Sequence, residues 1–163
     1  MDRTAADVSY EELMSQCPVE IKEALPQDRW RIDELWRLDL PVADVAVAAL
    51  RWQLELPMWQ YDGVRFQVRP VDVAADPQRY PHHYARVMAA DVSYPIHGIH
   101  HRGRIAVLDG FHRLLKTQIN GGESIPMMLL SRSDLLAISR LPEGPVEVRA
   151  PRPERLGQQP PQL

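Results

Sequence analysis

The sequence predicts an α+β (or α/β) fold, a small mixed sheet flanked by helices with a helical extension ahead of it. Three observations carry this expectation. The second half of the chain alternates short β-branched runs with amphipathic helical patterns, separated by glycine turns. Hydrophobic residues make up 45% and charged residues 25% of the 163 residues, ordinary values for a chain that buries one core. The first part carries helix-start signals and tryptophan- and leucine-rich stretches instead of clear strands.

Taken in order, residues 1–8 are expected to fray. Residues 10–25 read as helical, with Ser9 as N-cap, Glu11 and Glu12 in the first turn, and Pro18 as a break or kink. Residues 28–38, carrying Trp30 and Trp36, form a second candidate helix that Pro41 ends. Residues 42–54 read as a strand followed by a short helix. Tyr61-Asp62-Gly63-Val64 is a turn signal, and residues 64–69 alternate as a strand. Pro70 opens a short helix over 70–75. Asp76-Pro77 is placed to cap another helix running to about Ala90, with Pro81 in its early turns.

The second half is clearer. Residues 94–101 and 104–108 predict a β-hairpin turning at Arg102-Gly103. Residues 111–120 predict a helix stopped by Gly121-Gly122. Residues 125–130 read as a short apolar strand, and residues 133–138 as a last helix capped by Ser131 or Ser133. From Leu141 the chain is rich in Pro, Gly and Gln and is expected to be disordered. The domain reading is therefore an N-terminal extension over 1–60, a core over 61–140 and a tail over 141–163.

Composition bounds the function. A net charge of −3 gives no global basic field for nucleic acid. The single cysteine, Cys17, excludes an intrachain disulfide and reads as a small buried hydrophobe. No stretch resembles a signal peptide or a membrane span, so a cytoplasmic protein without membrane contact is expected.

The chemistry concentrates at Leu108-Asp109-Gly110-Phe111-His112-Arg113. A strand that turns through Asp-Gly into a helix aims free backbone N–H groups and the positive dipole end at one spot. His112, Arg113 and Lys116 then fall within about one helical turn. All six histidines lie between His82 and His112. Residues 79–116 hold six Lys/Arg (Arg79, Arg86, Arg102, Arg104, Arg113, Lys116) against Asp91 and Asp109, a local +4 on an acidic chain. Such a field draws an anionic ligand. Histidine suits acid–base work near neutrality. His97, His100 and His101 lack a completing Cys or carboxylate set, so no metal site is assigned. His82, His100 and His101 read as solvated, as does Lys116.

The run "Tyr94-Pro95-Ile96", a hairpin, "Asp109-Gly110-Phe111-His112-Arg113", a helix, "Gly121-Gly122" and "Ile125-Pro126" resembles the core of the ParB/sulfiredoxin superfamily over roughly residues 64–138. Sulfiredoxins carry Gly-Cys-His-Arg at this turn, and Phe111 stands here in place of the cysteine. ParB partition proteins, which bind CTP, carry Gly-Glu-Arg-Arg, of which Gly110 and Arg113 match. The free serine kinases carry Asp-Gly-x-His-Arg, the nearest match. That resemblance implies ATP or another nucleotide with Mg²⁺. Its phosphates would rest on Gly110, Phe111, His112 and Arg113, and Asp109 would assist transfer. Those kinases use a glutamate on the preceding helix, where this chain has His83.

The expectation is thus an enzyme acting on a small anionic substrate, by kinase-like phosphoryl transfer. Asp109, His83, His97 and His112 are its candidate catalytic groups, and Gly110, Phe111, His112, Arg113 and Arg86 its phosphate ligands. Two alternatives stay open: a nucleotide-independent isomerase, lyase or hydrolase using histidine, and a non-catalytic ParB-like nucleotide-binding module. The apolar surface around Trp30, Trp36, Trp52 and Trp59 is expected to pack over the sheet, to line the ligand pocket or to form a homodimer interface.

Overall fold

The computed structural model describes residues 10–139. The frayed N-terminus and the Pro/Gln-rich tail expected above lie outside the described residues. The chain runs α1 (Tyr10–Gln16), α2 (Val19–Ala24), α3 (Ile32–Leu35), β1 (Val42–Ala46), α4 (Val47–Leu50) and a 3-10 helix (Arg51–Glu55). It continues with β2 (Trp59–Tyr61), β3 (Val64–Val68), α5 (Pro70–Ala75), α6 (Pro81–Ala89), β4 (Ile96–His101) and β5 (Arg104–Asp109). It closes with α7 (Phe111–Ile119), β6 (Ser124–Leu130) and α8 (Arg132–Ile138). The fold is α+β: a mixed four-stranded sheet in the order β1-β6-β4-β5 and a separate β2-β3 hairpin.

β4 pairs antiparallel with β5 and parallel with β6, while β1 lies antiparallel on the far side of β6. Alternation along the strands feeds two cores. Ile96 and Val107 join Leu50, Leu54, Val73, Val87, Leu114 and Leu115 on the face covered by α4, α5, α6 and α7. Ile99, Ala106, Leu108 and Leu130 join Leu35, Leu135 and Ile138 under α3 and α8 on the other. Leu114 and Leu115 are wholly buried, each contributing about 2–3 kcal/mol of transfer free energy. Residues assigned to the N-terminal extension thus supply a strand of the main sheet and part of its core.

Local chemistry explains most element ends. Pro18 separates α1 from α2. Asp62-Gly63 and Arg102-Gly103 all have positive φ (49°, 77°, 50° and 77°), the two-residue hairpin turns whose twist matches the strands. Ser131 caps α8 in a reciprocal box with Asp134.

Three expectations need correction, and one strand, β2, was not anticipated. The helix expected over 28–38 is only Ile32–Leu35, because Arg31 N–H donates to the Ile138 carbonyl and Trp30 bridges to Ser139. A tertiary clasp, with Asp28 paired to Arg132 at 2.6 Å, overrides local propensity. The helix expected from Asp76 starts instead at Pro81, whose ring suits the first helical position and no later one. The turn at residue 61 is preceded by a strand, β2. The β4 strand begins at Ile96, and the Tyr94 and Pro95 carbonyls turn to Arg113.

One edge of the main sheet is covered by a side chain. Gln53 is fully buried; its Oε1 accepts from Val107 N–H at 2.7 Å, and its Nε2 donates to the Ile105 carbonyl at 2.9 Å. The amide imitates a neighbouring strand along the outer side of β5.

Candidate functional site

The turn from β5 into α7 is built around Gly110. Its φ is +114°, and a Cβ there would sit 2.3 Å from Ile96 Cγ2, so only glycine fits. Gly110 is the N-cap of α7, and no side chain caps this helix. Helix geometry gives the N–H groups of Phe111, His112 and Arg113 no intrahelical acceptor. The α7 start therefore has the uncapped donors and dipole that the sequence implied.

Just before the turn the β4–β5 register slips. Gly98 faces Val107, but His97 faces Asp109, leaving Leu108 as an extra residue on β5. This bulge carries Asp109 to the same face as His97 instead of the α7 face. There Asp109 Oδ2 accepts from Trp36 Nε1 at 2.8 Å and Arg113 Nη2 at 3.0 Å. His97 Nδ1 lies 3.9 Å from the same oxygen and has no hydrogen-bond partner. His97 is 6% exposed. Burial pushes its pKa below the ordinary histidine value; Asp109 pulls it upward and Arg113 opposes that. His97 is thus a buried imidazole facing a fixed carboxylate.

Arg113 is committed to this framework. Its Nη1 donates to the Pro95 carbonyl at 2.8 Å and the Tyr94 carbonyl at 3.3 Å, and its Nη2 to Asp109. It ties the Pro-Ile segment to the Asp-Gly turn. Lys116 is not solvated as expected: Nζ donates to the Met88 and Ala90 carbonyls, each at 2.7 Å, and closes the C-terminal end of α6.

His112 and His83 meet on the other side of the turn. Both imidazoles stack on Trp59, His112 at 4.5 Å and 13°, His83 at 5.1 Å and 10°. His83 Nε2 lies 2.6 Å from the Gln60 carbonyl, which only accepts, so that nitrogen carries the hydrogen. His112 Nε2 and His83 Nδ1 are sealed without partners. Burial lowers the His112 pKa from its usual 6.5 to about 3, and Arg86, His83 and Arg113 add to the effect. His112 is therefore neutral at pH 7 and sits in positive potential.

The candidate residues thus fall into two groups flanking one helix start. Asp109, His97 and Arg113 lie on the α3 side; His112 and His83 lie around Trp59, with Arg86 acting on His112. His82 and His100 are exposed, whereas His101 is half-buried with a lowered pKa, chiefly from burial. Pocket lining was one of the expectations for Trp36 and Trp59, but their contacts with Asp109 and with the two imidazoles, and the edge role of Gln53, were not readable. Trp36 reaches Asp109 across 73 positions, and no local pattern announces such a pair.

Among the described residues, no group of three or more His, Cys, Asp or Glu is placed to hold a metal. Arg113 and Trp36 both donate to Oδ2 of Asp109, the carboxylate of the turn. No described helix is long and apolar enough to cross a membrane. The chain matches no family model, no curated protein and no solved structure.

Proposed function

We propose that this protein is an enzyme that holds a small anionic, phosphate-bearing substrate on the first turn of α7. The observation that carries this reading is the uncapped α7 start at Gly110, lying between the Asp109–His97 pair and the positive potential felt by His112. The backbone N–H groups of Phe111, His112 and Arg113 bind the anion, and Arg86 strengthens the field. The His97 imidazole, facing the Asp109 carboxylate at 3.9 Å, moves the proton. This is the nucleotide-independent acid–base reading, favoured because Asp109 is already engaged by Arg113 and because Trp59 stacks on the protein's own imidazoles.

Kinase-like phosphoryl transfer is the second reading, supported by the Asp-Gly-x-His-Arg motif and its resemblance to the ParB/sulfiredoxin superfamily. The order of β4, β5, glycine turn, α7, glycine stop and β6 is what that resemblance implies. A thermal-shift panel separates the readings. Orthophosphate, ATP, ADP and CTP are added with and without Mg²⁺, since a ligand that binds only the native state raises Tm. The proposal expects orthophosphate to raise Tm, with a smaller rise in Arg86→Gln. A rise only with ATP and Mg²⁺ selects the kinase reading, and a rise only with CTP the non-catalytic module. No rise with any of them removes the anion site.

A further inference from the structure

The β2–β3 hairpin stands apart from the main sheet, and among the described residues no other strand pairs with either of its edges. A two-stranded hairpin is marginally stable alone, so its contacts with the body decide where it lies. Three of them reach the starts of α6 and α7. Trp59 stacks on His83 and His112, Tyr61 meets the Tyr80 ring edge-on at 5.5 Å, and the Gln60 carbonyl accepts from His83. The tip, Asp62-Gly63, and the neighbouring Val64 are exposed. The base is fixed: Val68 is buried, and Arg69 pairs with Asp72 at 2.8 Å and Glu55 at 3.3 Å. The closed position carries two costs. His112 Nε2 and His83 Nδ1 are sealed without partners, and an unpaired buried polar atom is destabilising. Phe66, opposite the register slip between Trp59 and Tyr61, has a φ of +56°, a strained value for a bulky aromatic. Lifting the hairpin wets both nitrogens and releases Phe66.

We propose that the β2–β3 hairpin is a lid over the start of α7. It swings about Pro57 and Val68 between two positions. In the closed one Trp59 covers both imidazoles; in the open one their nitrogens reach a ligand on the first turn of α7. The stacked indole favours closure, while the unpaired nitrogens and the Phe66 backbone favour opening, which is the opposition a lid needs. What the lid admits rests on the anion site proposed above; the motion itself does not.

The test is native-state hydrogen exchange on the ¹⁵N-labelled protein at neutral pH and low urea. The β2 and β3 amides should exchange at least about a hundredfold faster than those of Leu114 and Leu115 in α7, with little dependence on urea, as for a small local opening. His112→Phe keeps a ring on Trp59 and removes the unpaired nitrogen, so hairpin exchange should slow about tenfold. Hairpin amides that exchange together with the α7 amides at every urea concentration overturn the lid. Equal or faster hairpin exchange in His112→Phe does so too. The first comparison needs only the parent protein and stands even if the variant fails to fold. Orthophosphate added to the same samples separates the lid from the anion site. Shifts at Phe111, His112 and Arg113 without hairpin opening keep the anion site and remove the lid. Hairpin opening without those shifts keeps the lid and removes the anion site.

Discussion

His112 links the fold to pH through one ring. Between about pH 6.5 and its lowered pKa of about 3, the unfolded chain binds a proton there that the folded chain refuses. Stability from this group is complete above the unfolded value and is lost as the pH falls. His97 and His101, also lowered by burial, act in the same direction. The urea midpoint should therefore drop between pH 6.5 and 4.5. In His112→Phe, which keeps an aromatic ring against Trp59, the drop should be smaller. An identical drop in both proteins would show that the stacked imidazole is protonated without cost. Asp109 gives a second residue-scale expectation. Trp36→Phe removes the N–H donor at 2.8 Å while keeping a ring. It should cost about 1–2 kcal/mol, readable as a lowered urea midpoint. The residue types of the site were legible, because an Asp-Gly turn and clustered histidines are local facts. Their partners were not. The Trp36 contact and the commitment of Arg113 to the Tyr94 and Pro95 carbonyls depend on chain segments brought together only by folding.

At the scale of elements, the β5–α7 turn depends on one glycine. Gly110→Ala combines a positive φ with overlap on Ile96, and should lower stability by about 3 kcal/mol or more in urea unfolding. An Ile96→Ala background should recover part of the added loss, because the clash is with that side chain. Gln53→Ala strips Ile105 and Val107 of their outer partners and should cost about 2–4 kcal/mol. The hairpin over β4 and β5 and the helix α7 were legible because Arg102-Gly103 and Gly121-Gly122 act locally. The bulge at Leu108 was not. It changes the face Asp109 occupies by one residue of register, which alternation alone does not signal. The start of α6 was misplaced for a related reason: Asp76-Pro77 and Tyr80-Pro81 both permit a helix start, and packing selects the second.

For the whole molecule, the two sheet edges differ. Gln53 covers β5, whereas β1 presents exposed Val42, Ala43, Asp44 and Ala46 along an edge that no strand among the described residues pairs with. If two copies met there about a two-fold axis centred on Asp44, its carboxylate would face its own copy. Asp44→Val should therefore promote self-association, seen as a concentration-dependent rise in mass by light scattering. A variant that remains as monodisperse as the parent would remove Asp44 as the guard of that edge. The α+β class was legible because hydrophobic periodicity switches cleanly in the second half. The joining of β1 to β6 was not, because strand partners distant in sequence leave no local trace. The central claim concerns the α7 start and is tested most directly by titrating orthophosphate into ¹⁵N-labelled protein. Saturable shifts concentrated at the backbone N–H signals of Phe111, His112 and Arg113 are predicted. A titration that leaves those three signals in place would contradict the anion site.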